Sequence, residues 1–337
     1  MAGSAERALR RRIRSIEATK KITRAMELIA ASQMARAQSR ISGSRPYLDG
    51  IEQVLADVVA DGAIPERLMG TPESPEHVAV VAVVSDRGLC GGYNAFVLRT
   101  ADRLMRTGEQ SGRDYRLTTA GKKAIGYFRF RGRKVDQSFQ MADRPSYEDA
   151  RSLAATVVPP FVNGELDLVQ LVSTRFVSSG TQVVETRQLL PLERADPPAG
   201  RPDSGPPLVS AAPSPEEQEG GEAPPPSPSR AGFFEYEPAA EDLLRLILPR
   251  YAEASLFQAL LEASASEHIA RQRAMSAATE NADDLIKNLR RVMNRARQDS
   301  ITTEIMEIVG GAEALRKSPG SGDVARQSAH MNEERSA

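Results

Sequence analysis

Cysteine occurs once in 337 residues, at Cys90, so the chain can close no internal disulfide and its composition fits a reducing compartment. An excess of one charge is also missing. Lys and Arg total 44 against 45 Asp and Glu, so overall charge points to no partner. Long hydrophobic runs are absent too: the longest purely apolar stretch is the seven residues Val78–Val84, and a spanning helix needs about 20. Any link to a membrane therefore runs through partners. Aromatic residues do not appear before Tyr47, which leaves base stacking unsupported for the basic N-terminal stretch. No metal-ligand spacing and no convincing acid/base pair stands out. His77 and His330 are isolated, Cys90 has no histidine near it in sequence, and His268 falls on a helical seam as a packed residue. The Arg-, Ala- and Ser-rich start resembles a transit peptide, but Glu6, Glu17 and Glu27 interrupt it and its periodicity runs on without a cleavage-like break.

What is present is a strong helical period at both ends. Residues 5 to about 59 read as one long helix. Ile16, Thr19, Thr23, Met26, Ala30, Met34, Ala37 and Ile41 are spaced three or four apart, a narrow seam of the coiled-coil kind. Residues 1–45 carry 11 Lys and Arg against three Glu, so the far face is basic. The period returns from about Ala239 to Leu315, with a seam through Leu261, Ala265, His268, Gln272, Met275, Thr279, Ala282, Ile286, Leu289, Met293 and Ala296. Pro249 is expected to kink this helix or to mark its true start. A helix of that length spans roughly 115 Å, far more than a compact domain needs. The two ends are expected to pair as a long antiparallel coiled coil, with much of it exposed or held inside something else.

Between them, residues 76–195 alternate strand and helix. "HVAVVAVVSD" reads as a strand buried on both faces, "YRLTTAG", "KVDQSF" and "DLVQLVSTRF" as further strands, and "TQVVETRQLL" as a hairpin partner. The fold class is α/β: a Rossmann-like domain with a mostly parallel sheet covered on both faces, plus the coiled coil. "SDRGLCGGYN" follows the first strand and opens a helix. Its amides could cradle a phosphate, but it lacks G-x-G-x-x-G and the terminal Lys-Ser/Thr. The competing reading is a tight structural turn, with Gly88, Gly91 and Gly92 allowing unusual backbone angles. Residues 196–232 hold 11 Pro, five Gly and five Ser, a composition that cannot bury a core. The remaining segments are 233–315, the C-terminal helix, and a polar tail at 316–337.

Three stretches resemble one family, the gamma subunit of the bacterial-type rotary proton-translocating ATP synthase: "ATKKITRAMELIAASQMARAQ", "SDRGLCGGYN" and "ARQDSITTEIMEIVGGAEAL". The resemblance covers about 10–195 and 233–315. It implies a non-catalytic central-stalk rotor subunit that transmits torque between the membrane c ring and the alpha/beta hexagon. Its implied partners are the alpha and beta subunits, the epsilon subunit and the c-subunit ring. It implies no cofactor, since alpha and beta bind the nucleotides, and no nucleic acid. The implied location is peripheral, on the cytoplasmic face of the bacterial membrane. Carried over by position, Lys20, Lys21, Arg24 and Met26 face beta, as do Arg297, Gln298, Thr302 and Glu304. Glu235, Tyr236 and Glu237 touch the c ring. The helix-weakening pair Gly310 and Gly311 would keep the shaft slender near its tip. The alternative is a coiled-coil scaffold with a nucleotide-binding α/β head, which tight nucleotide binding by the purified chain would reveal.

The Pro-rich segment yields a direct expectation. Deletion of residues 199–230 leaves assembly and ATP hydrolysis near wild type, measured on the purified complex, and loss of the complex would overturn it.

Overall fold

The computed structural model describes residues 2–60, 68, 70, 72–192 and 240–317. Ten elements follow in order: α1 (Ala2–Ala60), β1 (His77–Val83), α2 (Tyr93–Gln110), β2 (Asp114–Ala120), α3 (Lys122–Phe130), β3 (Gln137–Phe139), α4 (Tyr147–Asn163), β4 (Leu168–Phe176), β5 (Gln182–Leu190) and α5 (Ala240–Lys317). The chain divides into two compact units, residues 24–276 and residues 1–23 with 277–337.

The larger unit is organised by β1. Its run of Val and Ala has no polar face, so it is stable only with apolar cover on both sides. β2 and β4 flank it in parallel, β3 pairs with β2 in parallel, and β5 closes the other edge antiparallel to β4, giving the order β3-β2-β1-β4-β5. Alternate side chains then serve opposite layers. Val78, Val80 and Ala82 share a core with Val97, Ala101 and Met105 of α2 and with Ala124 and Phe128 of α3. Ala79, Val81 and Val83 share the other with Leu153, Val157 and Phe161 of α4 and Leu256 and Leu260 of α5. α4 is fixed at both ends: Ser146 and Asp149 form a reciprocal capping box, and Gly164 closes the helix at φ 87°. The α/β layout and the mostly parallel sheet agree with expectation, and β3 is shorter than the run suggests.

Two expectations about α5 need correction. Of the two alternatives for Pro249, the start is excluded: the helix begins at Ala240 and passes through the proline, which removes one donor to the carbonyl of Arg245. The narrow seam also fails along its first half. From Ala252 to Ile269 every residue except Phe257 and Glu262 is buried. Here α5 packs on the sheet layer and also on α1, where Ala37 and Ile41 meet Leu261 and Ala265. Ala252, Ser255, Ala259, Ala263 and Ser266 are small enough to let both neighbours approach. A stripe of large apolar residues is not the only way to bury a helix.

The smaller unit keeps a narrow seam. Ile13, Thr23, Ala282 and Ile286 are buried in it, and the residues between are exposed or half-buried. Thr19, expected in the seam, is exposed and donates instead to the Ser15 carbonyl at 3.1 Å. Lys20, its neighbour, is half-buried.

The turn from β2 into α3 depends on Gly121. Its φ is +112°, and a Cβ there would lie 2.1 Å from the Val84 carbonyl oxygen. Gly121→Ala is expected to cost more than about 2 kcal/mol, because strain and backbone clash act together. Gly126, inside α3 with open space around it, is the control: Gly126→Ala gains up to about 1 kcal/mol. Denaturant midpoints of the two variants test both.

Candidate functional site

The glycine-rich turn runs from Ser85 to Gly92, between β1 and α2. Its own side chains tie it. The Ser85 N–H donates to Asn94 Oδ1 at 2.9 Å, and Asn94 Nδ2 donates to Ser85 Oγ at 2.7 Å and to Cys90 Sγ at 3.2 Å. Only one of the three glycines has an unusual angle: Gly91, at φ 59°. Gly88 and Gly92 do not, which corrects the expectation, and the second left-handed residue is Leu89 at φ 64°. A Cβ at Gly92 would stand 2.5 Å from the Phe96 ring, so the ring would have to shift to admit one.

α5 lies against this turn. Tyr93 Oη donates to the Ala263 carbonyl at 3.1 Å, and Arg271 Nη2 donates to the Gly88 carbonyl at 3.4 Å and to Glu267 Oε1 at 2.5 Å. Ser264 Oγ donates to the Asp143 carbonyl at 3.2 Å. Burial raises the Glu267 carboxyl above its usual range, opposed by the Arg271 charge, and burial lowers His268. Burial likewise raises Cys90 and Tyr93. A phosphate cradle presents free N–H groups in a positive field. Here the turn meets a helix of its own chain and a buried carboxylate. The arrangement supports the structural-turn reading: the turn is the joint through which the sheet grips α5. The Glu267–Arg271 pair was not singled out from sequence; its only signal is the i, i+4 spacing of opposite charges.

In the smaller unit the residues expected at an interface are partly engaged already. Lys20 Nζ lies 2.5 Å from Asp283 Oδ1, Arg290 Nη2 lies 2.7 Å from Glu17 Oε1, and the Thr23 and Thr279 hydroxyls meet at 2.8 Å. These pairs run antiparallel, descending α5 as they ascend α1. Both ion pairs are more than a third exposed, so each is worth at most about 1 kcal/mol. They set register more than stability. Lys21 is exposed and has no carboxylate partner among the described residues. In the larger unit, Arg24 pairs with Glu27 at 2.8 Å and Met26 is half-buried.

Arg297, Gln298, Thr302 and Glu304 are all exposed on α5. The helix does not stop at the glycine pair; it continues through Gly310 and Gly311 to Lys317, and a Cβ at either glycine would meet open space. Large apolar side chains here face solvent, with Ile305 at 54%, Met306 at 69% and Ile308 at 72% exposure. Glu235, Tyr236 and Glu237 lie outside the described residues, as does the Pro-rich segment. Among the described residues no cluster of His, Cys, Asp and Glu could hold a metal, and no helix is long and apolar enough to cross a membrane.

An α/β body whose glycine turn is closed by its own helix, with polar-seamed helices carrying exposed apolar residues, defines a protein of interaction and transmission. Comparison with known proteins makes this particular. Residues 5–315 match the family described as ATP synthase. The chain is 43% identical to the ATP synthase gamma chain of Frankia casuarinae over 317 residues, covering 92% of this chain and 97% of that one. It is 41% identical to the gamma chain of Mycolicibacterium vanbaalenii, with the same coverage. Among solved structures, a chain of the Euglena gracilis mitochondrial ATP synthase OSCP/F1/c-ring assembly superposes with a TM-score of 0.60 at 16% identity, covering 95% of this chain and 97% of that one. A chain of the Tetrahymena thermophila mitochondrial ATP synthase central stalk and c ring gives 0.53 at 22% identity, covering 76% and 99%. The chain belongs to the ATP synthase gamma chain family.

Removing Arg271 leaves Glu267 buried without its cation. Arg271→Met is expected to cost about 3 kcal/mol at pH 8. A carboxyl whose folded-state pKa is raised favours the folded state below its unfolded pKa and loses that advantage as pH rises. The deficit should therefore shrink towards pH 5, and Glu267→Gln in the same chain should remove most of the pH dependence. Denaturation of both variants at the two pH values checks the sign.

Proposed function

We propose that this chain, a central-stalk rotor subunit of the ATP synthase, performs no catalysis itself and carries torque between the membrane c ring and the catalytic hexagon of alpha and beta subunits, with the epsilon subunit beside it. The observation that carries the reading is the exposed end of α5. Ile301, Ile305, Met306, Ile308 and Val309 are all open to solvent within this chain. Exposed apolar side chains clustered along a helix end mark a surface that other proteins cover, and a sleeve of alpha and beta subunits is such a cover. Gly310 and Gly311, with no side chain and open surroundings, thin the helix where the sleeve is tightest.

The residue roles follow from this reading. Lys21, exposed on α1, presents its cation to an acidic segment of beta, while Lys20 and Arg24 divide their charge between that segment and Asp283 or Glu27. Met26 lies beside them. Arg297, Gln298, Thr302 and Glu304 meet beta from the C-terminal helix, and Glu235, Tyr236 and Glu237 touch the c ring. The complex is peripheral at this subunit, on the cytoplasmic face of the bacterial membrane.

Arg297 and Gln298 supply the test. As a solvated pair their truncation would change stability by within about 0.5 kcal/mol. A charge-assisted bond to beta of about 1.5–3 kcal/mol, made in only part of the rotary cycle, acts on rate instead. Arg297→Ala with Gln298→Ala is expected to leave assembly unchanged and slow ATP hydrolysis severalfold at saturating ATP. Wild-type turnover by the purified complex would remove both residues from the interface.

A further inference from the structure

α3 and α2 cover the face of the sheet opposite to α1, α4 and α5. Within that face the segment containing α3 carries charge of one sign. From Lys122 to Lys134 there are six cations and no acid, in a chain whose net charge is −1. Two of the six are neutralised locally: Arg133 lies 2.9 Å from Asp102 and 2.5 Å from Glu109, and Lys134 lies 3.0 Å from Asp136. Lys122 is 3.8 Å from Asp86. Lys123, Arg129 and Arg131 make no ion pair among the described residues.

Among these cations stands Phe130, 89% exposed, the most exposed large apolar side chain described in the chain. Lys122, Gly126, Arg129 and Phe130 lie on one side of α3, separated by three, four and seven or eight residues, and all are exposed. Gly126 has nothing within 4 Å, so the helix backbone there can be approached closely. The Arg131 guanidinium carbon lies 5.5 Å from the centroid of the Tyr127 ring, within cation–π range.

We propose that the outer face of α3 is a docking surface for an acidic segment of another protein in the assembled complex, with Arg129 and Arg131 pairing its carboxylates and Phe130 seated in an apolar socket between them. Charge complementarity selects an acidic partner. Arginine and one exposed aromatic are the residues that anchor protein interfaces, because both give large contact area and oriented hydrogen bonds. A bilayer would reward several inserted apolar side chains; this face has one, beside a glycine that suits a flat backbone contact. The inference rests on the chain's membership of an assembled ATP synthase. If the wild-type chain failed to co-purify with other subunits, that reading would fail rather than this one.

A carbodiimide joins a lysine amine to a carboxylate with no spacer, so it reports such docking directly. The probe is applied to the complex purified from solubilised membranes. Lys20 and Asp283, 2.5 Å apart, give an internal link that confirms the chemistry. The expected result is a link from Lys122, Lys123 or Lys134 to Asp or Glu of another subunit, identified by mass spectrometry of the digest. Arg129→Glu with Phe130→Ser and Arg131→Glu should lower its yield at least fivefold while the internal link persists. All three side chains are exposed, so folding should be unaffected, and the wild-type link stands as evidence without the variant. The internal link without any intersubunit link from these lysines would overturn the proposal. Sedimentation of the chain with phosphatidylglycerol vesicles, lost in the same variant, would then assign the surface to a bilayer.

Discussion

A helix buried on all sides needs side chains small enough for its neighbours to reach it, and the larger unit depends on α5 meeting that condition. Between Ala252 and Ile269 it has sheet and α4 on one side and α1 on another. Alanine and serine at Ala252, Ser255, Ala259, Ala263 and Ser266 bring those layers close. The longer polar side chains enclosed there find partners, since a buried unpaired group costs more than a hydrogen bond returns, while the Ser255 and Ser266 hydroxyls have no protein partner. Gln258 donates to Glu262 at 2.9 Å, Ser44 donates to Gln258 at 2.6 Å, and Glu267 holds Arg271.

The same crowding gives the glycine turn its meaning. A loop between a parallel strand and a helix is a common place for a ligand, because the helix N-terminus offers free N–H groups. In this chain α5 occupies that side. Tyr93 and Arg271 bond across the junction, and burial penalises the Glu267 carboxylate left there. These contacts support reading the loop as a structural turn, tied to α5 by hydrogen bonds as well as by apolar contact. That tie suits a subunit whose sheet and helices must turn together.

The smaller unit has the opposite character. Its seam is filled by Thr23, Thr279, Ala282 and Ile286, with ion pairs on the flanks. Such a seam contributes little per residue, and the apolar side chains from Ile301 to Val309 contribute nothing to it. Two helices held by register rather than by a deep core leave their outer surfaces for other subunits.

Sequence alone determined the elements. Period 2 and continuous apolar runs mark strands, and period 3.6 marks helices, because side-chain direction repeats with the backbone. The strand at His77–Val83 and the long helical ends were legible for that reason, and the three motif stretches carried the family. Only the tertiary structure decided which neighbour each face meets. Thr19 and Lys20 are one residue apart, and it is Lys20, half-buried, that meets Asp283 across the pair while Thr19 stays exposed. The all-round burial of Ala252–Ile269 was hidden because alanine and serine register as neither core nor surface until another layer covers them. The left-handed angle at Leu89 was hidden as well, because that conformation is rare for a leucine and nothing in the residue type announces it.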